Sequence, residues 1–198
     1  MNEITQAINR GFEMGMFQHR EEIADFLVWL RHRLKGHLGP TMEIGGHRGG
    51  TASMFCTLSE DTVISIDKPD GEWGGVGFQS ARERDLILDH LYHPRYIGIN
   101  ADSHDPKTVD DVSRFMPNGS CDLLFIDGDH SYNGVRQDFD DYKKFVRTRG
   151  IVAFHDINDT PLHRERGVEV PRFWKELEGD KHEFTIDADW GGIGALIL

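Results

Sequence analysis

Two carboxylates and an imidazole end two successive apolar runs of this chain. Asp122-Leu123-Leu124-Phe125-Ile126 stops at Asp127-Gly128-Asp129-His130-Ser131-Tyr132, and Ile151-Val152-Ala153-Phe154 stops at His155-Asp156. Acids gathered at one spot repel and raise one another's pKa unless a cation or a proton sits among them. A divalent ion is the simplest remedy. Asp127, His155 and Asp156 supply one face of an octahedral site, with positions left for water and a substrate's paired oxygens. Magnesium or manganese suits that donor set first, with iron not excluded. The plain alternative has the acids capping helices and His155 in a structural hydrogen bond.

A second chemical stretch lies upstream. The apolar run at Met42-Glu43-Ile44 enters Gly45-Gly46-His47-Arg48-Gly49-Gly50-Thr51, and a helical pattern follows. Glycines there permit a tight turn and close approach of a ligand to the backbone, and the N–H groups of the next helix would face the same crevice. The dinucleotide fingerprint G-x-G-x-x-G fails, because its second glycine falls on His47. The spacing that is met is E-x-G-x-x-x-G, by Glu43, Gly45 and Gly49.

Those residues need a scaffold that gathers strand ends. Helices are expected at 2–16 and 19–36, the second carrying Ile23, Phe26, Leu27 and Leu30 at helical spacing. Strands at 41–45, 62–67, 95–99, 121–127 and 150–155 then alternate with helices at 50–59, 79–92, 105–116, 133–147 and 166–178. A closing pair, 182–186 and 193–198, reads as a hairpin. The expectation is an α/β protein with a seven-stranded, mostly parallel sheet, its last strand antiparallel, and helices on both faces. It is organised as one domain, with an N-terminal helical segment at 1–38 and a Rossmann-like core at 39–198.

In such a sheet, ligands bind beyond the carboxyl ends of the strands. Strand two ends at Asp67, about twenty residues past the glycine loop, where a carboxylate can accept from both hydroxyls of a ribose. A turn-forming Asp before Lys68-Pro69 is the alternative. The segment 70–78, glycine-rich with Trp73 and Phe78, reads as a lid. Trp73 and Trp190 are candidates to wall an acceptor pocket, whereas Trp174 reads as core. His47 is expected in solvent, with contact to a ligand's carboxylate as the alternative, and His19, His32, His37, His90, His93, His163 and His182 are expected at the surface.

Composition narrows the partners. The 198 residues suit one well-cored domain, and a net charge of −12 argues against nucleic acid or an anionic membrane as partner. A small molecule is the easier ligand. No signal peptide or membrane-spanning run is apparent, so a cytoplasmic protein is expected. Cys56 and Cys121 are expected in the core. The two N-terminal helices offer a surface for a second copy.

The glycine loop resembles motif I of class I S-adenosylmethionine-dependent methyltransferases. Together with Asp127-Gly128-Asp129-His130-Ser131-Tyr132 and Gly150-Ile151-Val152-Ala153-Phe154-His155-Asp156, it is similar to the type-24 methyltransferase family, which includes cephalosporin-hydroxylase-like proteins. The resemblance spans about residues 42–178. It implies a seven-strand methyltransferase fold with S-adenosyl-L-methionine held by Glu43, Gly45, Gly46, Gly49, Thr51, Asp67 and Asp127. It also implies an adenine contact at Asp102, although Asp102 or Ser103 can equally cap a helix. A metal matching Asp127 and Asp156 is implied as well, with a departure at the third ligand: Ile157 stands where catechol enzymes have an amide, and His155 where cephalosporin-hydroxylase-like members have an acid. The implied reaction is metal-assisted O-methylation of a small hydroxylated acceptor, a carbohydrate or secondary metabolite. Asp129 is its general base and His130 the runner-up. The rival readings are a metal-dependent hydrolase using Asp127, His155 and Asp156, and a catalytically silent nucleotide-binding module.

Overall fold

Strands form where apolar and β-branched residues run uninterrupted, and glycine, proline and polar clusters separate them. The computed structural model describes residues 3–71, 73–186 and 189–198. Asn2 of the expected first helix, Glu72 of the expected lid, and Asp187 and Ala188 lie outside the described residues. Helices α1 (Glu3–Glu13) and α2 (Arg20–Arg33) precede β1 (Thr41–Ile44), α3 (Gly50–Leu58), β2 (Val63–Asp67), α4 (Phe78–Tyr92) and β3 (Tyr96–Asn100). Then come α5 (Pro106–Ser113), β4 (Cys121–Ile126), α6 (Tyr132–Tyr142), β5 (Val146–His155), α7 (Pro161–Arg166), α8 (Val170–Glu176), β6 (Asp180–Phe184) and β7 (Ile193–Ile197).

The sheet has seven strands in the order β3-β2-β1-β4-β5-β7-β6. The pairs among β1 to β5 are parallel, and β7 runs antiparallel to both neighbours. The expected fold class is what the chain adopts. Side chains alternate across the sheet, as strand geometry requires. Leu124 and Ile126 of β4 pack with Met42, Ile44, Phe139 and Phe173 on one face, while Leu123 and Phe125 pack with Phe26, Phe55 and Ile23 on the other. Both cysteines are buried, and burial is the main cause that pushes each thiol up to about 12, so neither is a ready nucleophile.

Two boundaries differ from expectation for local reasons. The helix expected at 166–178 is the shorter α8, because Gly167 takes a left-handed φ of 73° that ends the unexpected helix α7 before it and Pro171 opens α8. The helix expected to reach 147 ends at Tyr142, and β5 starts early at Val146, paired with Cys121. Trp174 is core as expected, and its indole N–H donates to Glu183 at 2.7 Å.

Candidate active site

The register of the sheet aligns the strand ends. Ile44 pairs with Ile66 and Ile126, Asp67 with Asn100, and Ile126 with Phe154. Gly45, Asp67, Asp127 and His155 therefore stand along one edge. A cavity of about 460 Å³ opens there, lined by Gly45, His47, Asp67 and Asp102 toward β2 and β3 and by Asp127 and Asp129 toward β4. It lies where the strand order reverses between β1 and β4, the place at which open α/β sheets bind ligands, and its size is that of a small-molecule site.

The glycine loop works differently from expectation. Gly45 has φ 99°, and a Cβ there would overlap the Asp127 backbone carbonyl; one on Gly46 would overlap the Ser65 hydroxyl. Gly49 has φ 83°, and a Cβ would lie 2.8 Å from Arg84 Cγ. These glycines let the protein pack against itself. Of the loop, Gly45 and His47 line the cavity, whereas Gly46, Gly49 and Thr51 do not. Gly50 in the first turn of α3 packs on the Met16 backbone, so that turn meets the N-terminal segment and is not open to the crevice as expected. His47 faces the cavity and not solvent alone, with burial the main cause that lowers its pKa.

Glu43 lies beneath this loop. Its side chain points to the α3 face of the sheet, is 1% exposed, and accepts from the Ser65 hydroxyl at 2.6 Å. Burial pushes it up to about 8, outweighing the Ser65 hydrogen bond and the Arg84 charge, which lower it. It does not line the cavity.

Asp67 is held by two donors. Its Oδ1 accepts from the His47 N–H at 3.1 Å and its Oδ2 from Arg84 Nη1 at 2.8 Å. Arg84 also donates to the His47 carbonyl, Asn100 and Asp85, so one buried guanidinium from α4 ties together the ends of β1, β2 and β3. No local pattern marks Arg84, which sits in the helix among Glu83 and Asp85. Asp102 accepts from Lys68 Nζ at 2.8 Å and from the His104 N–H at 2.9 Å. The cap of α5 is neither Asp102 nor Ser103: Asp105 accepts from the Lys107 N–H. His104, unmarked by any motif, lines the cavity with Nε2 3.2 Å from Asp138, a carboxylate with no exposure.

The ends of β4 and β5 form a compact cluster. His155 Nδ1 lies 3.1 Å from Asp127 Oδ1 and 3.2 Å from Asp156 Oδ1. Burial opposes its charge, but the Asp156 and Asp127 carboxylates overcome that and raise it to about 9. The two acids thus favour the charged form of the imidazole between them. His130 Nδ1 is 2.8 Å from Asp156 Oδ2, and its ring stacks on Trp73 at 5.1 Å and 13°. Burial opposes the His130 charge too, yet the Asp156 hydrogen bond and the Asp127 charge raise its pKa. Asp156, at a left-handed φ of 62°, lies well below the usual carboxylate range despite burial, because His155, His130 and His163 surround it.

His163 corrects the expectation of a surface residue. It is buried in α7, with Nε2 3.5 Å from Asp156 Oδ1 and Nδ1 2.6 Å from the Asn158 carbonyl. Gln18, also unmarked by sequence, reaches across 109 residues so that its Nε2 donates to Asp127 Oδ2 at 2.9 Å. The ligand atoms that converge are those of Asp127, His130 and Asp156, all within 4.8 Å of one another. His130 joins the two acids in this group, and His155 lies against both acids as well. Two carboxylates and an imidazole at that spacing fit a divalent ion such as magnesium or manganese.

Trp190 packs against Phe17 at 5.5 Å and His19 at 6.3 Å, and its carbonyl accepts from Asn158. Among the described residues no helix is long and apolar enough to cross a membrane.

The strand order, with a cavity over its reversal point and acids on successive strand ends, defines a Rossmann-like protein of the seven-strand methyltransferase class. The chain belongs to the type-24 methyltransferase domain family, whose profile matches residues 42–157. Protein R132 of Acanthamoeba polyphaga mimivirus is 50% identical over 119 residues, covering 60% of this chain and 51% of that protein. The chain spans between 16% and 51% of the length of the curated relatives it matches. A caffeoyl-CoA O-methyltransferase-like protein from Staphylococcus aureus superposes with a TM-score of 0.66 at 14% identity, covering 98% of this chain and 90% of that one. MycE methyltransferase of the mycinamycin biosynthetic pathway, solved with magnesium and S-adenosylhomocysteine, gives 0.62 at 16% identity, covering 99% of this chain and 53% of that one.

Proposed function

We propose that this chain binds S-adenosyl-L-methionine and transfers its methyl group to a hydroxyl of a small acceptor, a carbohydrate or secondary metabolite, with a divalent ion assisting. The observation that carries the reading is the single cavity running from Asp67 and Asp102 to Asp127 and Asp129 across the reversal point of a methyltransferase-family sheet. MycE, a neighbour in fold, holds magnesium and S-adenosylhomocysteine together.

Each residue then has a physical task. A carboxylate has about four acceptor positions, and Asp67 uses two on His47 and Arg84, so it retains capacity for ribose hydroxyls. Asp102 stands at the β3 side for the adenine amino group. Gly45 lines the cavity where the methionine moiety would lie, while Glu43, Gly46 and Gly49 pack against the loop's neighbours and hold its shape. Asp127, His130 and Asp156 would hold the divalent ion, with His155 behind them. When bound, that ion lowers the pKa of an acceptor hydroxyl.

Asp129 takes the acceptor proton. It lines the cavity, and its Oδ1 is oriented by the Ser131 N–H at 2.8 Å. His130 is the weaker candidate, because as a ligand of the divalent ion its lone pair would already be committed. Trp73, stacked on His130, walls the acceptor side. Methyl transfer needs the acceptor oxygen in line with the methyl group, so positioning by these walls supplies much of the catalysis.

Calorimetry with S-adenosylhomocysteine tests the reading. One molecule is expected to bind per chain with or without metal, and Asp67→Asn is expected to weaken it by about 1 to 3 kcal/mol through lost hydrogen bonds to a charged acceptor. A hydrolase would ignore this ligand. No binding by the natural chain would sink the proposal, and unchanged affinity in Asp67→Asn would remove Asp67 from the ribose site. With an acceptor in hand, Asp129→Asn should lower kcat while leaving the Kd for S-adenosylhomocysteine unchanged; equal kcat would reassign the base.

A further inference from the structure

We infer that His104, in the turn between β3 and α5, is a specificity-determining residue for the cofactor's base, its Nδ1–H donating to adenine N1 beside the amino group that Asp102 accepts. The inference deepens the methyl-transfer reading and rests on its placement of adenine at the β3 side of the cavity.

Helix α6 fixes this turn from behind. The Ser103 hydroxyl donates to Asp138 Oδ1 at 2.7 Å, and the Tyr142 hydroxyl donates to the Ser103 carbonyl at 2.8 Å. Gln137 Nε2 donates to the His104 carbonyl at 3.3 Å, and Asp102 Oδ1 accepts from the His104 N–H at 2.9 Å. The His104 ring is set by the same helix, because its Nε2 forms an ion pair with Asp138 Oδ1 at 3.2 Å. Asp138 has no exposure, and a bare connection between a strand and a helix does not require a carboxylate taken wholly out of water, which is costly. A carboxylate behind one ring nitrogen orients the imidazole and leaves the other nitrogen for a ligand.

The other nitrogen is available. His104 lines the cavity with its side chain 24% exposed, and Nδ1 makes no hydrogen bond among the described residues. Asp102 Oδ1 lies 3.9 Å from Nδ1, beyond hydrogen-bond reach. Two opposite charges on free side chains would close that gap. The turn holds these two apart, and both line the cavity. Asp102 uses two of about four acceptor positions, on Lys68 and the His104 N–H, so it has capacity left. The Asp138 contact raises the His104 pKa, burial opposes the rise, and the Asp102 and Asp129 charges add to it. In the charged ring both nitrogens carry protons, so Nδ1 has one to donate while Nε2 faces Asp138. An acceptor and a donor fixed side by side match the edge of adenine, on which the amino donor and the N1 acceptor are neighbours.

The test is calorimetry on the full chain without metal at about pH 6.5, where an ordinary imidazole is half charged and a raised one mostly so. It compares S-adenosylhomocysteine with its 1-deaza analogue, in which a C–H replaces N1. The natural chain is expected to bind the analogue at least about tenfold more weakly, through loss of a hydrogen bond from a charged donor. His104→Phe keeps a ring but has no N–H, and it is expected to bind the two ligands within about twofold of each other. A merely structural His104 would weaken both ligands and leave their ratio as in the natural chain, which overturns the assignment. Should His104→Phe not fold with Asp138 stranded, His104→Phe combined with Asp138→Asn removes the buried charge and carries the same expectation. Equal affinity of the natural chain for the two ligands also overturns the assignment and spares the methyl-transfer reading. No binding of S-adenosylhomocysteine by the natural chain sinks both.

Discussion

Arg84→Ala is expected to lower the free energy of unfolding by about 3 to 5 kcal/mol, the usual consequence of leaving buried charges without their partner. The Arg84 side chain is 3% exposed and lies 2.8 Å from Asp67 Oδ2 and 2.9 Å from Asp85 Oδ1. Burial opposes its charge, but the Asp85 hydrogen bond and neighbouring negative groups raise its pKa, so it stays ionised. Removing it strands Asp67, which is 8% exposed, and frees the His47 carbonyl and Asn100. An exposed pair such as Arg10 and Glu13 contributes far less, because water screens it. Urea unfolding at pH 7 measures the difference, and a loss below about 1 kcal/mol would show that Arg84 is not the tie described. Arg84→Lys should recover only part of the stability, since one ammonium cannot reproduce the planar fork that reaches four acceptors. S-adenosylhomocysteine affinity should fall in parallel with Asp67's loss of orientation.

Glu43→Gln is expected to do the opposite and stabilise the protein at neutral pH and above. Glu43 is pushed from its ordinary 4.5 up to about 8 by burial, so between those values the folded chain holds a proton that the unfolded chain has released. Stability is then greatest below 4.5 and falls as pH rises toward 8, by about 1.4 kcal/mol per pH unit, and the loss is constant above that. Glutamine keeps the shape, can accept from Ser65, and does not titrate. Its NH₂ faces the same unpartnered position as the protonated carboxyl's second oxygen, so the local costs nearly cancel. The two proteins should be about equally stable near pH 4.5, and the variant ahead by about 3 kcal/mol at pH 7. Melting curves from pH 4.5 to 8.5 test this. A difference that does not change with pH, or a variant less stable at pH 8, would mean that Glu43 is ionised in the folded state.

Both predictions concern residues near the motifs, yet only one lay within them. Glu43 was marked by its spacing to Gly45 and Gly49, but the role that spacing suggested was contact with a cofactor. In the structure it faces the other side of β1, because side chains alternate along a strand and Met42 and Ile44 take the α5 and α6 face. Arg84 and Gln18 were not marked at all, and His163 was marked only as a surface residue. Their neighbours in sequence are ordinary helix and loop residues, and their partners lie 17, 109 and 7 positions away on other elements.

The chain's own order of residues determined the alternation of strands and helices, the closing antiparallel strand, and the delivery of Asp67, Asp127 and Asp156 to strand ends. Those follow from hydrophobic period and from glycine and proline punctuation, which act over a few residues. Tertiary structure alone decided which acid is paired, which is protonated and which faces the cavity. It brought His130 to the two acids beside His155 and filled the space over the glycines with Asp127, Ser65 and Met16. Charge state and pairing depend on burial and on groups brought from distant parts of the chain, and no local spacing encodes either.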